Sequence, residues 1–222
     1  MFATAKRQLP VTLCEIQAKI YIIFNTWVDK VKEKWKMSGM GKTLVMYYSE
    51  KGTTKRYAEW IAKELNGNLY NIKNVKSNML SDYDVIILGS PMLAGAPKGT
   101  IKGLSIFTKN YDLIKDKKIV FYSCGLFDVG NEEVRSEIRG YIEKAVPDEV
   151  FHKIKIFYLR GGFDYYKLNP ISRLVFSIIK KKMDKKPADK LTSDEKFVLA
   201  CYGKVLDFTD KGNVKPIVEY CI

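Results

Sequence analysis

Histidine is almost absent: His152 stands alone among 222 residues. Cysteine is scarce too, and Cys14, Cys124, Cys201 and Cys221 form no CxxC pair. These two shortages exclude a Cys/His metal centre of ordinary spacing. They also argue against a disulfide framework, so the chain is expected in a reducing, cytosolic compartment. No apolar run approaches the roughly 20 residues needed to span a bilayer. The longest early run, Ile20 to Phe24, has charges on both sides. The start does not read as a secretory leader, because Glu15 and Lys19 interrupt the stretch after Lys6 and Arg7 that should be apolar. Acidic residues are in deficit, with 25 Asp and Glu against 38 Lys and Arg, a formal charge of +13. That balance argues against an ordinary acidic electron shuttle. It favours a polyanion, an anionic membrane surface or an acidic partner.

What is present is enough to build a core. Hydrophobic residues make up 46% and charged residues 28% of the chain, which excludes global disorder. Residues 1–41 differ from the rest. Leu13, Ile16, Ile20, Ile23, Trp27, Val31 and Trp35 recur at steps of three and four, which predicts an amphipathic helix. Lys30, Lys32, Lys34 and Lys36 give it a basic end, and Ser38-Gly39-Met40-Gly41 stops it. It is expected to dock on the domain, on a second copy of the chain in a homo-oligomer, or on a membrane surface. A translation start at Met37 or Met40 would remove it.

From Lys42 the pattern alternates between strands and helices. Buried strands are expected at 43–48, 69–72, 84–88, 118–122 and 154–159, and helices at 54–65, 100–113 and 131–145. Apolar strands alternating with helices imply an α/β fold, with a parallel sheet and helices on both faces. Five units in this length fit a doubly wound five-stranded sheet and not a barrel of about 250 residues. Beyond the fifth strand, Gly161 to Tyr166 form an aromatic turn. A helix over 171–186 follows, with lysines at 180, 181, 182, 185 and 186. The last helix is expected to begin at a capping box, Thr192 with Glu195, and to run through Val205 and Phe208. Residues 214–220 read as a short strand or an ordered tail.

In an open parallel sheet, ligands sit beyond the carboxyl ends of the strands. The first loop there is Tyr48-Ser49-Glu50-Lys51-Gly52-Thr53-Thr54-Lys55. It offers hydroxyl donors from Ser49, Thr53 and Thr54, a flexible Gly52, the charge of Lys51 and the amides of a helix start, all suited to phosphate. Ordinary helix capping would use the same residues. A GxGxxG fingerprint is absent. Gly41-Lys42-Thr43 resembles the end of a P-loop, but Lys36 stands where its first glycine belongs, and the triplet precedes its strand. A phospho-acceptor aspartate after a central strand is missing as well. The second loop holds Ser90, Pro91, Met92, Leu93, Ala94 and Gly95; the third holds Ser123, Cys124, Gly125, Leu126 and Phe127. Both are small and mostly apolar, suited to a flat ring. A phosphorylated flat heterocycle is the expected ligand. No catalytic acid or base stands out, no metal site is expected, and no nucleic-acid partner is expected.

On these residues the chain resembles the flavodoxin superfamily over 42–210. Ser49-Glu-Lys-Gly-Thr-Thr54 is similar to the flavodoxin phosphate loop. The closer resemblance is to the flavodoxin-domain family that includes menaquinone-dependent protoporphyrinogen IX dehydrogenase. Tyr48-Ser49, Gly52 and Thr54 match its first loop, and Gly89-Ser90-Pro91 begins its second. Asp164-Tyr165-Tyr166-Lys167-Leu168, with the helix at 171–186, resembles the insertion before its last helix. The chain departs from many flavodoxins in three places. Lys51 replaces Thr, Thr53 replaces Asn, and Met92 and Leu93 stand where an aromatic often stacks on the ring. The resemblance implies strand order 2-1-3-4-5, FMN as cofactor, a redox partner or quinone, and a flavodoxin-like domain over 42–222 with a basic amphipathic insertion at 161–190. It also implies a cytoplasmic protein, peripheral to the inner face of the membrane if the insertion meets lipid. A plain electron carrier for a protein partner and a non-catalytic binding module are the alternatives.

Overall fold

The computed structural model describes residues 25–26, 41–92 and 97–222. The helix expected within 1–41 therefore lies outside the described residues, apart from Asn25 and Thr26, which are helical. Residues 41–222 make one unit.

The apolar runs become strands. β1 (Thr43–Tyr47), β2 (Asn68–Asn71), β3 (Val85–Pro91), β4 (Lys118–Gly125) and β5 (Ile154–Arg160) form one sheet in the order β2-β1-β3-β4-β5. Every pairing is parallel. Met46 lies opposite Leu88, and Leu88 opposite Phe121, so the central strands are in step and end along one edge. The central strands are continuous in hydrophobicity because both faces are covered. Leu44, Met46, Ile86, Leu88 and Phe121 share one core with Leu104 and Phe107 of α2 (Lys98–Lys109) and with Ile138 and Ile142 of α3 (Glu132–Ala145). On the other face α1 (Thr53–Glu64) buries Tyr57, Ala58, Ile61 and Ala62.

Residues after β5 leave the sheet. β6 (Gly162–Asp164) runs antiparallel to β7 (Val205–Asp207). Between them lie α4 (Pro170–Met183) and α5 (Ser193–Cys201). The capping box at Thr192 and Glu195 is present: the Glu195 amide donates to Thr192 Oγ1 at 3.2 Å, and the Thr192 amide to Glu195 Oε2 at 3.1 Å. Two expectations need correction. The last long helix does not run through Val205 and Phe208. It stops at Cys201, Gly203 takes a φ of +67°, and Val205–Asp207 pairs with β6 instead. Residues 214–220 are not a strand. Lys215–Cys221 is a helix, α6, in which Pro216 occupies the first turn and Ile217 and Cys221, four apart, are buried. α6 packs on α1, so both cover the same face of the sheet.

Candidate functional site

The carboxyl edge between β1 and β3 is where the strand order reverses. The first loop is tied to β3 there: the Tyr48 amide donates to the Gly89 carbonyl at 2.9 Å. Tyr48 Oη donates to Glu50 Oε1 at 2.5 Å, which occupies the loop's one carboxylate. Gly52 caps α1 with φ +95°, a left-handed conformation that strains residues with a Cβ. Among the described residues, no atom beyond its chain neighbours lies within 4 Å of where that Cβ would stand, so backbone conformation and not crowding selects glycine.

The start of α1 carries no side-chain cap and no acidic residue in its first turn. Among the described residues no side chain caps its leading amides. Two hydroxyls lie beside it. Ser49 Oγ accepts from the Gly52 amide at 3.1 Å. Thr53 Oγ1 accepts from Cys124 Sγ at 3.6 Å. Each oxygen already accepts one hydrogen bond; Ser49 is partly exposed, whereas Thr53 Oγ1 faces Cys124 and Gly161. Lys51 is exposed beside them.

Two buried tyrosines hold this arrangement from below. Tyr122 Oη donates to the Thr54 carbonyl at 2.9 Å. Its ring fits because Gly89 lies opposite it on β3, and a Cβ there would stand 2.0 Å from the ring. Tyr57 Oη donates to the Arg160 carbonyl at 2.8 Å and accepts from the Asp210 amide at 3.2 Å. Burial holds the phenol of Tyr122 well above its ordinary range and raises that of Tyr57, so both remain donors at neutral pH. One turn into α1, Arg56 Nη1 pairs with Asp207 Oδ2 at 2.6 Å and reaches Thr209 Oγ1 at 2.7 Å. The β6–β7 excursion thus braces the first loop.

The other two loops turn their serine hydroxyls inward. Ser90 Oγ lies 2.8 Å from Thr100 Oγ1, and Ser123 Oγ donates to the Phe157 carbonyl at 3.4 Å; both side chains are buried. They offer backbone and not hydroxyls to a ligand. Thr54 is 1% exposed, so its hydroxyl is buried as well. Met92 is buried in the core, with its amide bonded to the Cys124 carbonyl at 3.0 Å. Pro91, Leu126 and Phe127 are partly exposed, and the Phe127 ring covers the face of Gly125, whose Cβ would meet it at 2.3 Å. Leu93, Ala94 and Gly95 lie outside the described residues. Cys124 sits against Thr53 and Gly161, and burial raises its thiol pKa, so it remains a neutral packing thiol and not a thiolate. Tyr57, Tyr122, Arg56 and Asp207 were not expected in the site. A buried phenol must find a hydrogen-bond partner, but sequence spacing does not say where that partner lies.

Comparison with known proteins now decides the family. A flavodoxin domain model matches residues 44–190. The chain belongs to the flavodoxin domain family. An uncharacterized protein of Methanocaldococcus jannaschii is 27% identical over 130 residues, covering 55% of this chain and 85% of the relative. Among solved structures, the reduced Megasphaera elsdenii flavodoxin is 16% identical with a TM-score of 0.40, covering 53% of this chain and 85% of that one. A flavodoxin from the domain Archaea is 14% identical with a TM-score of 0.36, covering 81% of this chain and 98% of that one. Membership rests on the family match and the sheet order, not on these distant likenesses.

Flavodoxin-domain membership makes FMN the cofactor. The first loop fits its phosphate: an uncapped helix start, a left-handed Gly52, the partly exposed Ser49 hydroxyl beside it, and a Glu50 carboxylate already engaged by Tyr48. The flavodoxin loop here would hold the phosphate with the amides of Thr53, Thr54 and Lys55 and the hydroxyls of Ser49 and Thr53. Pro91, Leu126 and Phe127 are the described candidates to line the ring.

Proposed function

We propose that this flavodoxin-domain protein is an FMN-dependent oxidoreductase that passes electrons to a quinone. The observation that carries the flavin part is the uncapped start of α1, with Gly52 held at φ +95°, at the switch point of the sheet. Bound FMN supplies hydride or single-electron chemistry. The chain's own residues bind and position. The amides of the first turn and the hydroxyls of Ser49 and Thr53 hydrogen-bond the phosphate, and Lys51 offsets part of its charge. Tyr122 and Tyr57 keep those donors fixed, so binding requires little rearrangement. Phe127 and Leu126 exclude water from one side of the third loop.

The resemblance at 164–186 supports the quinone, with protoporphyrinogen IX as the electron donor to assay first. The +13 charge favours a second reading, a one-electron carrier for an acidic protein partner. Steady-state turnover separates the two. The first reading expects the FMN-loaded protein to oxidise protoporphyrinogen with a menaquinone analogue as acceptor. Absence of turnover with any quinone, alongside fast salt-sensitive electron exchange with an acidic redox protein, would favour the second.

A further inference from the structure

α4 carries two different faces. The inward face is complete. Phe176 stacks on Phe163 with centroids 5.5 Å apart and meets Tyr165 edge-on at 6.1 Å. Ser177 Oγ lies 3.3 Å from Tyr202 Oη, and Arg173 donates to the carbonyls of Leu168 and Tyr166. Lys180 belongs to this side too, with its ammonium 5.5 Å from the Tyr202 ring centroid and paired with Asp184 at 2.5 Å. The opposite face holds Ile171, Leu174, Val175 and Ile178, at 76%, 61%, 47% and 59% exposure. Their spacing of three, four and seven places them in one stripe. The stripe spans about 10 Å along the axis.

At 100° per residue, Lys182 continues that stripe and Lys181 flanks it. Among the described residues, Lys181, Lys182 and Lys185 make no ion pair, whereas Lys180 and Lys186 do. No acidic residue lies between Pro170 and Met183. The occupant of this face must therefore accept aliphatic side chains and carry negative charge. A second copy of the chain brings a net charge of +13. Residues 1–40 carry seven Lys and Arg against three Asp and Glu, also net positive. A purely aliphatic stripe that ends in unpaired lysines matches the interface of an anionic bilayer, where acyl chains take the stripe and headgroups the ammoniums. No helix among the described residues is long and apolar enough to cross a membrane, so the contact is one of lying on the surface.

We propose that α4 is a docking helix for an anionic lipid surface, seated through Ile171, Leu174, Val175 and Ile178 and held by Lys181, Lys182 and Lys185. The inference goes beyond the flavin reading and stands or falls separately from it.

The test uses the full chain and sedimentation with two vesicle types, phosphatidylcholine alone and phosphatidylcholine with about one third phosphatidylglycerol. The protein pellets with the anionic vesicles, little with the neutral ones, and less as salt shortens the Debye length. Leu174→Ser with Ile178→Ser, and separately Lys181→Glu with Lys182→Glu, each reduce the partition coefficient about tenfold or more. Circular dichroism stays unchanged in both, because the altered side chains are outside the packed face. Equal binding to both vesicle types, binding to neither, or variants that bind as the parent does would overturn the proposal. So would a dimer, measured by ultracentrifugation, that the Leu174 and Ile178 changes dissociate without any vesicle binding.

Discussion

α1 and α4 are both amphipathic helices, of 12 and 14 residues, yet they use their apolar faces oppositely. α1 presses Tyr57, Ala58 and Ile61 onto the sheet, where all three are fully buried. α4 leaves its aliphatic stripe in solvent and packs through Phe176 instead. Their starts differ in the same way. α4 opens with Pro170 after Asn169, whose side chain accepts from the Ser172 amide at 2.8 Å. α1 opens on a glycine with no side-chain cap. A helix start satisfied by its own chain is structural. One left open at the switch point of a parallel sheet is available to an anion.

The largest effects should come from breaking the difference in burial. Ile61→Ala removes a fully buried side chain and should cost about 2–5 kcal/mol in urea unfolding. The same change at Ile178 should fall within about 0.5 kcal/mol, as for an exposed position. Comparable losses at both positions would mean that the α4 stripe is covered in solution. Next comes Tyr122→Phe, which leaves the Thr54 carbonyl without its partner and should cost about 1–3 kcal/mol. FMN affinity should fall with it, because the strut under the first loop is gone.

A pH titration probes the α6 helix that covers α1. Burial raises the Cys221 thiol from 9.0 to about 11. The folded state favours the neutral thiol, so the stabilisation is complete below about pH 9 and is lost as pH rises through about 11. At 1.36 kcal/mol per pKa unit the loss is on the order of 3 kcal/mol. Cys221→Ala should flatten the stability profile in that window, and an unchanged slope would remove Cys221 as its source. The smallest pair compares the two helix starts. Asn169→Ala should cost about 1 kcal/mol and leave flavin binding alone. Gly52→Ala should cost about 1–2 kcal/mol through its left-handed backbone and weaken FMN binding as well.

The sheet was legible because its strands are short apolar runs, and α1 because Tyr57, Ile61 and Leu65 fall at helical steps. The first loop was legible for a local reason: hydroxyls, a glycine and a helix start are neighbours in sequence. What the sequence hid is non-local. Tyr122 and Gly89 form a strut only because β3 and β4 pair in that register. Val205–Asp207 leaves the helical pattern because β6 supplies a partner strand more than 40 residues earlier. In 214–220 the β-branched residues suggested a strand, but Pro216 in the first turn and Ile217 and Cys221 on one buried face favour a helix. Amphipathicity alone could not say whether α4 covers the sheet, since periodicity marks a face and not its occupant.

The central claim is that the loop from Ser49 to Thr54 holds the phosphate of FMN. Fluorescence titration of the cofactor-free protein with FMN and with riboflavin tests it directly, because the two ligands differ by that phosphate alone. Two charge-assisted hydrogen bonds, at roughly 1.5 kcal/mol each, correspond to FMN binding about 100-fold tighter. The gap should narrow in Gly52→Val, where the Cβ opposes the left-handed backbone that aims the amides. Riboflavin binding as tightly as FMN, or a gap unchanged in Gly52→Val, would contradict the account.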